Sequence, residues 1–256
     1  MTIPPLAAPF SAEARPELTG GRPLGVLLLH GFSGSPAAMT PWARFLAERG
    51  YAVEVPLLPG HGTRWQDLNK VAWSDWYAEA ERAFDRLRAG TEGVVVGALS
   101  MGGSLALRLA EERGADVAGL VLVNPFVSST RKELVALPVM KRLLPSLKGV
   151  VNDIKKPGQD EVGYPRLPLR GLAEVTAMWR SVVPDLPKVT QPLLYFRSAV
   201  DHVIDASSSP TVLRAVSSRD VEERILEESY HVATLDNDAP QIFEESAAFV
   251  ARVTAS

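Results

Sequence analysis

The alternation of short apolar runs with longer amphipathic stretches constrains the fold of this chain more than any other feature. Residues 24–29, 93–98, 118–123 and 192–196 are almost continuously apolar, as is typical of strands buried on both faces of a sheet. Stretches with apolar residues at helical spacing separate these runs. This order indicates right-handed crossovers, and it therefore predicts an α/β fold with a mostly parallel central sheet and helices on both faces.

Weaker signals complete the pattern. Strands are also expected at 51–55 and, less distinctly, at 225–226. A last helix is predicted to begin near Asp238, which is expected to cap it together with Gln241, because a capping box pairs residues three positions apart. The other predicted helices cover segments 36–49, 73–88 and 104–113.

The alternation breaks between about 125 and 188, where prolines, basic residues and helical apolar patches occur without a strand signal. We interpret this stretch as a cap inserted over the C-terminal edge of the sheet, where α/β folds place their sites. The predicted division is therefore a core of residues 1–124 and 189–256 and a cap of residues 125–188.

The cap is rich in apolar side chains, most of which are expected to pack on the core. Together they would form a lid over a site that binds an acyl chain. Its basic residues are predicted to form a solvated face, with weak attraction to an anionic lipid surface as the alternative. The apolar residues are Leu134, Val135, Leu137, Val139, Met140, Leu143, Leu144 and Leu147, and the basic residues are Lys141, Arg142, Lys148, Lys155 and Lys156.

The composition excludes several kinds of site and partner. The chain has no cysteine, which removes disulfides, thiolate metal sites and a cysteine nucleophile. Its formal net charge of −3 does not favour nucleic acid or an anionic membrane. No stretch approaches the ~20 apolar residues that span a bilayer, and residues 1–16 lack the apolar run of a secretory signal. We therefore expect a cytoplasmic protein without stable membrane insertion; its oligomeric state has no signature in the sequence.

A candidate nucleophile stands where the strand at 93–98 runs directly into a predicted helix. Tight strand-to-helix turns of this kind form the nucleophile elbow, which projects a serine hydroxyl, here that of Ser100. The usual pattern is G-x-S-x-G, and Ala98 replaces the first glycine, so that one methyl group is added where space is short. The alternative is a serine that merely caps the following helix, but the preceding strand favours the nucleophile.

A nucleophilic serine needs a base, and in elbow folds the order along the chain is serine, acid, histidine. Of the four histidines, His30 and His61 precede the serine and are interpreted as braces for their loops. His202 follows the strand around 193–200 too closely. His231 lies between the last strand candidate and the last helix and is the predicted base, the alternative being a hydrogen-bonded loop histidine.

The acid that orients the base should directly follow the strand around 193–200. Asp201 stands there and is the predicted acid, and Asp205, four residues later, is the alternative. The oxyanion needs two backbone N–H donors. One is assigned to Met101, the residue after the nucleophile, and the other to Phe32 in the loop that follows His30.

Five blocks in this order together resemble the small bacterial carboxylesterases and monoacylglycerol lipases of the α/β-hydrolase superfamily. The resemblance implies the α/β-hydrolase fold and a catalytic triad, which falls on Ser100, Asp201 and His231. In the monoacylglycerol lipases an acidic cap residue faces the glycerol, and Glu161 is the matching position. The blocks are His30-Gly31-Phe32-Ser33-Gly34-Ser35-Pro36, Leu58-Pro59-Gly60-His61-Gly62-Thr63, Leu99-Ser100-Met101-Gly102-Gly103, Asp201-His202-Val203 and the segment 229–236 around His231.

We therefore predict a serine carboxylic-ester hydrolase that acts through an acyl-enzyme on small-molecule monoesters of short to medium chain, monoacylglycerols included. Cleavage of a thioester, an amide or a carbon–carbon bond by the same triad is the alternative. A non-catalytic ligand receptor on the same fold is a third hypothesis. No metal or organic cofactor is expected, because the sequence lacks H-E-x-x-H, P-loop and G-x-G-x-x-G motifs.

Overall fold

A computed structural model describes residue 4 and residues 7–255, so part of the N-terminal stretch 1–16 lies outside the described residues. The strands are β1 (Phe10–Ala12), β2 (Leu24–Leu29), β3 (Ala52–Val55), β4 (Gly93–Leu99), β5 (Val117–Val123), β6 (Ser146–Lys148), β7 (Arg166–Pro168), β8 (Leu193–Ser198) and β9 (Val221–Leu226). The helices are α1 (Thr40–Glu48), α2 (Trp65–Leu68), α3 (Trp73–Gly90), α4 (Met101–Arg113), α5 (Glu133–Leu143), α6 (Leu169–Asp185), α7 (Ser208–Leu213) and α8 (Ala239–Val253). Across the described residues, no helix combines the length and the apolar character that crossing a membrane requires.

Seven strands form one sheet in the order β1-β3-β2-β4-β5-β8-β9. All neighbours pair in parallel except β1, which adds an antiparallel edge to β3. The predicted mostly parallel sheet is therefore confirmed. The edge strand β1 was not predicted, because three residues are too few to show the two-residue periodicity of a strand.

Side chains of each central strand alternate between two cores, one on each face of the sheet. Leu27 and Leu29 of β2 lie in the core that includes residues of α3, α4 and α6. Val26 and Leu28 lie in the opposite core, which includes residues of α1 and α8. Helices thus cover both faces, as predicted, and the carboxyl ends of β4, β5 and β8 meet at one edge.

The segment 125–188 is not uniform. It contains the antiparallel pair β6 and β7, for which the sequence gives no strand signal, because each of these strands has only three residues. Its helix α6 buries Val175, Met178 and Val182 in the core that also includes residues of α3 and α4, and it packs against α4. Helix α5 instead lies outside that core and buries only Leu137, in a small cluster with residues of α6.

The apolar residues predicted to pack on the core are mostly exposed. Val135, Val139 and Leu143 follow one another at helical spacing on α5, and their exposed fractions are 82%, 62% and 76%. Leu144 and Leu147 are exposed as well. The prediction was wrong because apolar content alone does not reveal that the opposite face of α5 is the one that meets α6.

One helix start and one helix cap differ from expectation. Helix α4 begins at Met101, directly after the nucleophile, and not at Ser104. Asp238 precedes α8 but does not cap it: its Oδ2 accepts the Glu228 N–H at 2.9 Å. The Gln241 side chain donates to Glu245 at 2.8 Å. The predicted capping box is therefore wrong, because the Asp238 carboxylate binds the loop before the helix.

Candidate active site

Ser100 forms the whole of the turn between β4 and α4. Its φ of 55° and ψ of −120° lie in a region that L residues rarely adopt, and such strain persists only where the surroundings enforce it. The Ser100 N–H donates to the carbonyl of Val123 at 3.1 Å, and its carbonyl accepts the Phe126 N–H at 3.0 Å. The end of β5 and the residues after it therefore hold the serine in this conformation.

Small residues let the backbone segments around Ser100 approach one another. A Cβ added at Gly102 would lie 2.3 Å from the carbonyl oxygen of Leu29, so α4 crosses β2 too closely for a side chain there. A Cβ at Gly31 would lie 3.2 Å from the Cβ of Ser100. Ala98, which departs from the usual glycine, is fully buried in the core formed with α3, α4 and α6, where its methyl group is accommodated.

His231 and Asp201 form a buried hydrogen-bonded pair. His231 Nδ1 lies 2.7 Å from Asp201 Oδ2, and their side chains are 6% and 11% exposed. The other carboxylate oxygen accepts the N–H groups of Val203 and Ile204, both at 2.8 Å. Because an ionised carboxylate only accepts hydrogen bonds, Nδ1 carries the proton and Nε2 is the nitrogen that can receive one.

The charges of the pair stabilise a protonated imidazole. Burial alone lowers the pKa of His231, but the Asp201 carboxylate outweighs it, with smaller contributions from Glu161 and Asp153, so that the pKa is raised above 6.5. Burial works against the charged form of Asp201, yet His231 and two backbone N–H groups hold its pKa below the usual value. This environment suits a base that becomes positively charged during the reaction.

The other histidines have different partners. His30 Nε2 accepts the Leu58 N–H at 3.2 Å, and burial lowers the pKa of His30 to about 4. His61 Nδ1 lies 3.2 Å from the Leu58 carbonyl oxygen, and burial likewise lowers its pKa. His30 therefore joins the loops after β2 and β3, and the His61 ring packs edge-on against it, with centroids 4.8 Å apart. His202 points to another carboxylate, that of Asp153, at 2.8 Å.

Asp205 lies away from the base. Its Oδ2 accepts the Ser129 hydroxyl at 2.6 Å and the Thr130 N–H at 2.9 Å, and its Oδ1 accepts the Ser207 N–H at 2.9 Å. The carboxylate thus joins the loop after β8 to the first residues of the segment 125–188. Of the two candidate acids, the structure brings only Asp201 to His231.

The residues predicted to provide the oxyanion donors are Phe32 and Met101. Met101 is the first residue of α4, where backbone N–H groups have no partner within the helix and the helix dipole favours negative charge. Phe32 lines the same cavity as Ser100. Its ring packs edge-on against Trp76 and His61, with centroid distances of 5.9 and 6.2 Å, which fixes the loop that carries its N–H.

Ser100 and His231 open into a cavity of about 510 Å³ that extends beneath α5. Its walls are mainly apolar, and Ser33 and Glu161 are among the polar residues that line it. A cavity of this size and lining suits a single small apolar ligand with one polar end. The apolar lining includes Phe126, Leu134, Leu137, Met140, Leu167, Leu169 and Leu172.

Glu161 is held at the cavity by a reciprocal pair of hydrogen bonds with Asn152. Its Oε1 accepts the Asn152 N–H at 2.8 Å, and its own N–H donates to the Asn152 side chain at 2.9 Å. Its Oε2 packs closely over Gly34, where an added Cβ would lie 3.1 Å away. Burial raises the pKa of Glu161. One carboxylate oxygen is therefore left to meet a ligand.

Sequence reasoning missed residues that hold the His231 loop. The Asn124 side chain donates to the His231 carbonyl at 2.8 Å and to the Ser198 hydroxyl at 2.9 Å. Asn124 has a φ of 44° and directly follows β5. A polar residue at the carboxyl end of a buried strand is the signal that could have identified it. Asp153, which accepts the His231 N–H, gave no comparable signal.

Comparison with known proteins gives a consistent picture. Residues 24–238 match the family model described as serine aminopeptidase, S33. The chain is 35% identical to a thermostable monoacylglycerol lipase of Bacillus sp. (strain H-257) over 246 residues, which cover 95% of this chain and 97% of the relative. It is 24% identical over 240 residues to a carboxylesterase of Bacillus subtilis (strain 168), which cover 93% and 97% of the two chains.

Solved structures agree with the sequence relatives. One from a study of two metagenome-derived lipolytic enzymes superposes with a TM-score of 0.91 and 32% identity, and covers 98% of this chain and 100% of the other. A monoacylglycerol lipase of Paleococcus ferrophilus superposes with a TM-score of 0.77, and covers 96% and 99%. At 16% identity, this second likeness bears on the fold alone.

Proposed function

Because this chain belongs to the serine aminopeptidase S33 family and has the α/β-hydrolase fold, we propose that it is a serine carboxylic-ester hydrolase. The observation that carries the proposal is the meeting of Ser100, on a strained elbow, with the buried pair of His231 and Asp201 at one apolar cavity. The relatives that match along most of the chain are described as a monoacylglycerol lipase and a carboxylesterase.

The proposed reaction is acyl transfer through Ser100. His231 Nε2 accepts the serine proton as Oγ attacks the ester carbonyl, and Asp201 stabilises the imidazolium that results. The N–H groups of Phe32 and Met101 are assigned to the oxyanion. The imidazolium then protonates the departing alcohol, and water cleaves the acyl-enzyme by the same route. These residues need no metal or organic cofactor for either step.

We assign the acyl chain to the apolar part of the cavity and the alcohol to the side near Glu161. Each buried methylene contributes about 0.8 kcal/mol, so this wall favours an acyl chain over a polar group. The free oxygen of Glu161 would accept a hydroxyl of the alcohol. Monoacylglycerols of short to medium chain combine these two features and are the proposed substrates.

We further propose that the segment 125–188 acts as a cap, with α5 as its outer part. The exposed apolar residues of α5 share the helix with two basic residues of its last turn, Lys141 and Arg142, a combination typical of surfaces that contact lipid aggregates. Such a surface would bring the cavity close to substrate that is poorly soluble in water.

A panel of substrates tests the proposed function. We expect p-nitrophenyl esters and monoacylglycerols of short to medium chain to be hydrolysed well, and triacylglycerols of the same chain length poorly, because the cavity accommodates one chain. The measurement is kcat/KM for each, together with a matched thioester and an aminoacyl anilide. Good turnover of long-chain triacylglycerol would refute the single-chain cavity. Faster cleavage of the anilide than of the esters would make the protein an aminopeptidase.

Replacement of Glu161 should affect the alcohol side selectively. We expect Glu161→Ala to lower kcat/KM for a monoacylglycerol by roughly 10-fold or more, the scale of one hydrogen bond to a charged group. The aryl ester, which has no hydroxyl, should change less than about threefold. Glu161→Gln retains the oxygen that accepts the Asn152 N–H. Its kcat/KM for the monoacylglycerol should lie between those of the wild type and Glu161→Ala.

Asp160→Ala is the matched control, because Asp160 is the neighbouring carboxylate, is exposed and, within the part of the chain that the structure describes, binds only the Val162 N–H in its own loop. This variant should behave as the wild type on both esters. Equal losses on both esters in Glu161→Ala would mean that Glu161 supports the cap and does not contact the alcohol.

A further inference from the structure

A short segment of the cap, 152–156, is bound against the loop that carries His231. Asp153 binds this loop directly at the base: its carbonyl accepts the Val232 N–H at 3.1 Å, and its Oδ2 accepts the His231 N–H, also at 3.1 Å. The Asp153 side chain is only 8% exposed. We propose that Asp153 is a positioning residue that holds the catalytic base, a role that rests on the proposed function.

The same carboxylate also reaches the loop of the catalytic acid. Asp153 Oδ2 accepts the N–H of His202, the residue after Asp201, at 3.2 Å, and Oδ1 lies 2.8 Å from His202 Nδ1. One side chain therefore binds the backbone of the base itself and of the residue next to the acid. Since Asp201 and His231 lie 30 positions apart in the sequence, Asp153 fixes their two loops relative to each other.

Attachment of the segment does not depend on Asp153 alone. Asp236 is fully buried, and its two carboxylate oxygens accept the N–H groups of Lys155 at 2.6 Å, Lys156 at 2.8 Å and Tyr230 at 2.9 Å. This second carboxylate holds the segment to the loop just before His231. Loss of the Asp153 side chain should therefore leave the segment in place and disturb the geometry and electrostatics of the base.

The charge of Asp153 bears on His231 as well. Three carboxylates, those of Asp201, Glu161 and Asp153, raise the pKa of the His231 imidazole against the effect of burial. His202, which stands on the other side of Asp153, is the remaining titratable neighbour. Asp153 thus stabilises the imidazolium that forms when Ser100 loses its proton.

Asn152 extends this connection to the alcohol side of the cavity. It has a φ of 56° and forms the reciprocal pair of hydrogen bonds with Glu161, while its neighbour Asp153 binds His231. The residue assigned to the substrate alcohol and the residue that positions the base are therefore joined through two adjacent residues of one segment.

Two substitutions at Asp153 separate its hydrogen bonds from its charge. In Asp153→Asn, the amide oxygen can still accept both backbone N–H groups and the amide can donate to His202 Nδ1, so that the charge alone is lost. We expect kcat at the alkaline plateau to stay within about threefold of the wild type, and the acid limb of kcat/KM to move to lower pH by about half a unit. In Asp153→Ala, which also leaves the His231 N–H without its acceptor, we expect kcat to fall about 10- to 100-fold.

His202→Gln is the matched control, because it changes the imidazole partner of Asp153 and leaves the bond to the His231 N–H; its kcat should match the wild type.

Three quantities are measured for each variant. They are kcat per active site, with the sites titrated by a fluorophosphonate, the pH profile of p-nitrophenyl ester hydrolysis, and the melting temperature. A purely structural role predicts lower melting temperatures in both Asp153 variants with kcat per active site and the acid limb unchanged, and that result would overturn the proposal. If Asp153→Ala does not fold, the shift of the acid limb in Asp153→Asn decides. A wild type that neither hydrolyses the ester nor reacts with the probe would instead refute the proposed function, and this role with it.

Discussion

Replacement of Ser100 by alanine is expected to lower kcat for ester hydrolysis by roughly 10⁴-fold or more, the scale seen when the nucleophile of a triad is removed. The reason is that no acyl-enzyme can form, although the cavity and the oxyanion donors remain. The fold should persist, because the elbow is held by backbone hydrogen bonds to Val123 and from Phe126 and not by the hydroxyl. Steady-state kinetics and a thermal melt of the same preparation measure both effects.

Ser104→Ala is the matched control for this substitution. Ser104 is a fully buried serine one turn along α4, and its hydroxyl donates to the Phe126 carbonyl at 2.7 Å. That carbonyl also accepts the Trp179 indole N–H at 2.9 Å, so it keeps a partner in the variant. We expect nearly full activity and a modest loss of stability. A Ser100→Ala protein that remains folded and retains more than about a tenth of wild-type kcat would show that another group is the nucleophile.

Replacement of Asp201 by asparagine should be nearly as severe, with a loss of about 10⁴-fold in kcat. The amide would donate to His231 Nδ1, so that the proton would move to Nε2 and the base could no longer accept the proton of Ser100. The backbone N–H groups of Val203 and Ile204 would keep their acceptor oxygen, and the fold should therefore be retained.

Asp205→Asn is the control that discriminates between the two carboxylates. Asp205 binds Ser129, Thr130 and Ser207, so its loss should loosen the start of the cap and cost less than about 10-fold in kcat. If Asp205→Asn proved the more damaging of the two, the assignment of the acid would be wrong, and the 2.7 Å contact between Asp201 and His231 would have no catalytic role.

The sequence could predict the sheet because its central strands are buried on both faces, which leaves continuous apolar runs such as those of β2 and β5. The same logic could not detect β1, β6 or β7, since three residues carry no periodicity. The exposure of Val135, Val139 and Leu143 could not be predicted from the sequence either. Whether an apolar helix face meets the core depends on where the helix docks, and tertiary packing alone decides this.

The residues of the candidate site also divide into those that the sequence could indicate and those that it could not. Ser100, Asp201 and His231 could be proposed from the order of elements, because each follows a strand end or precedes a helix. Asn124 could be suspected only from its place at the end of β5, and Asp153 not at all, since their roles consist of hydrogen bonds to the His231 backbone across 107 and 78 positions of sequence. Such contacts depend on how the loops meet, and they leave no local pattern.

Reaction with a fluorophosphonate, followed by mass spectrometry of the digested protein, tests the central claim most directly. The proposed mechanism predicts one adduct per chain, on the peptide that contains Ser100, formed at a rate that falls at acidic pH as His231 becomes protonated. Ser33 and Ser129 line the same cavity and serve as internal controls that should stay unmodified. An adduct on either of them, or no adduct in protein that hydrolyses esters, would contradict the assignment of Ser100 as the nucleophile.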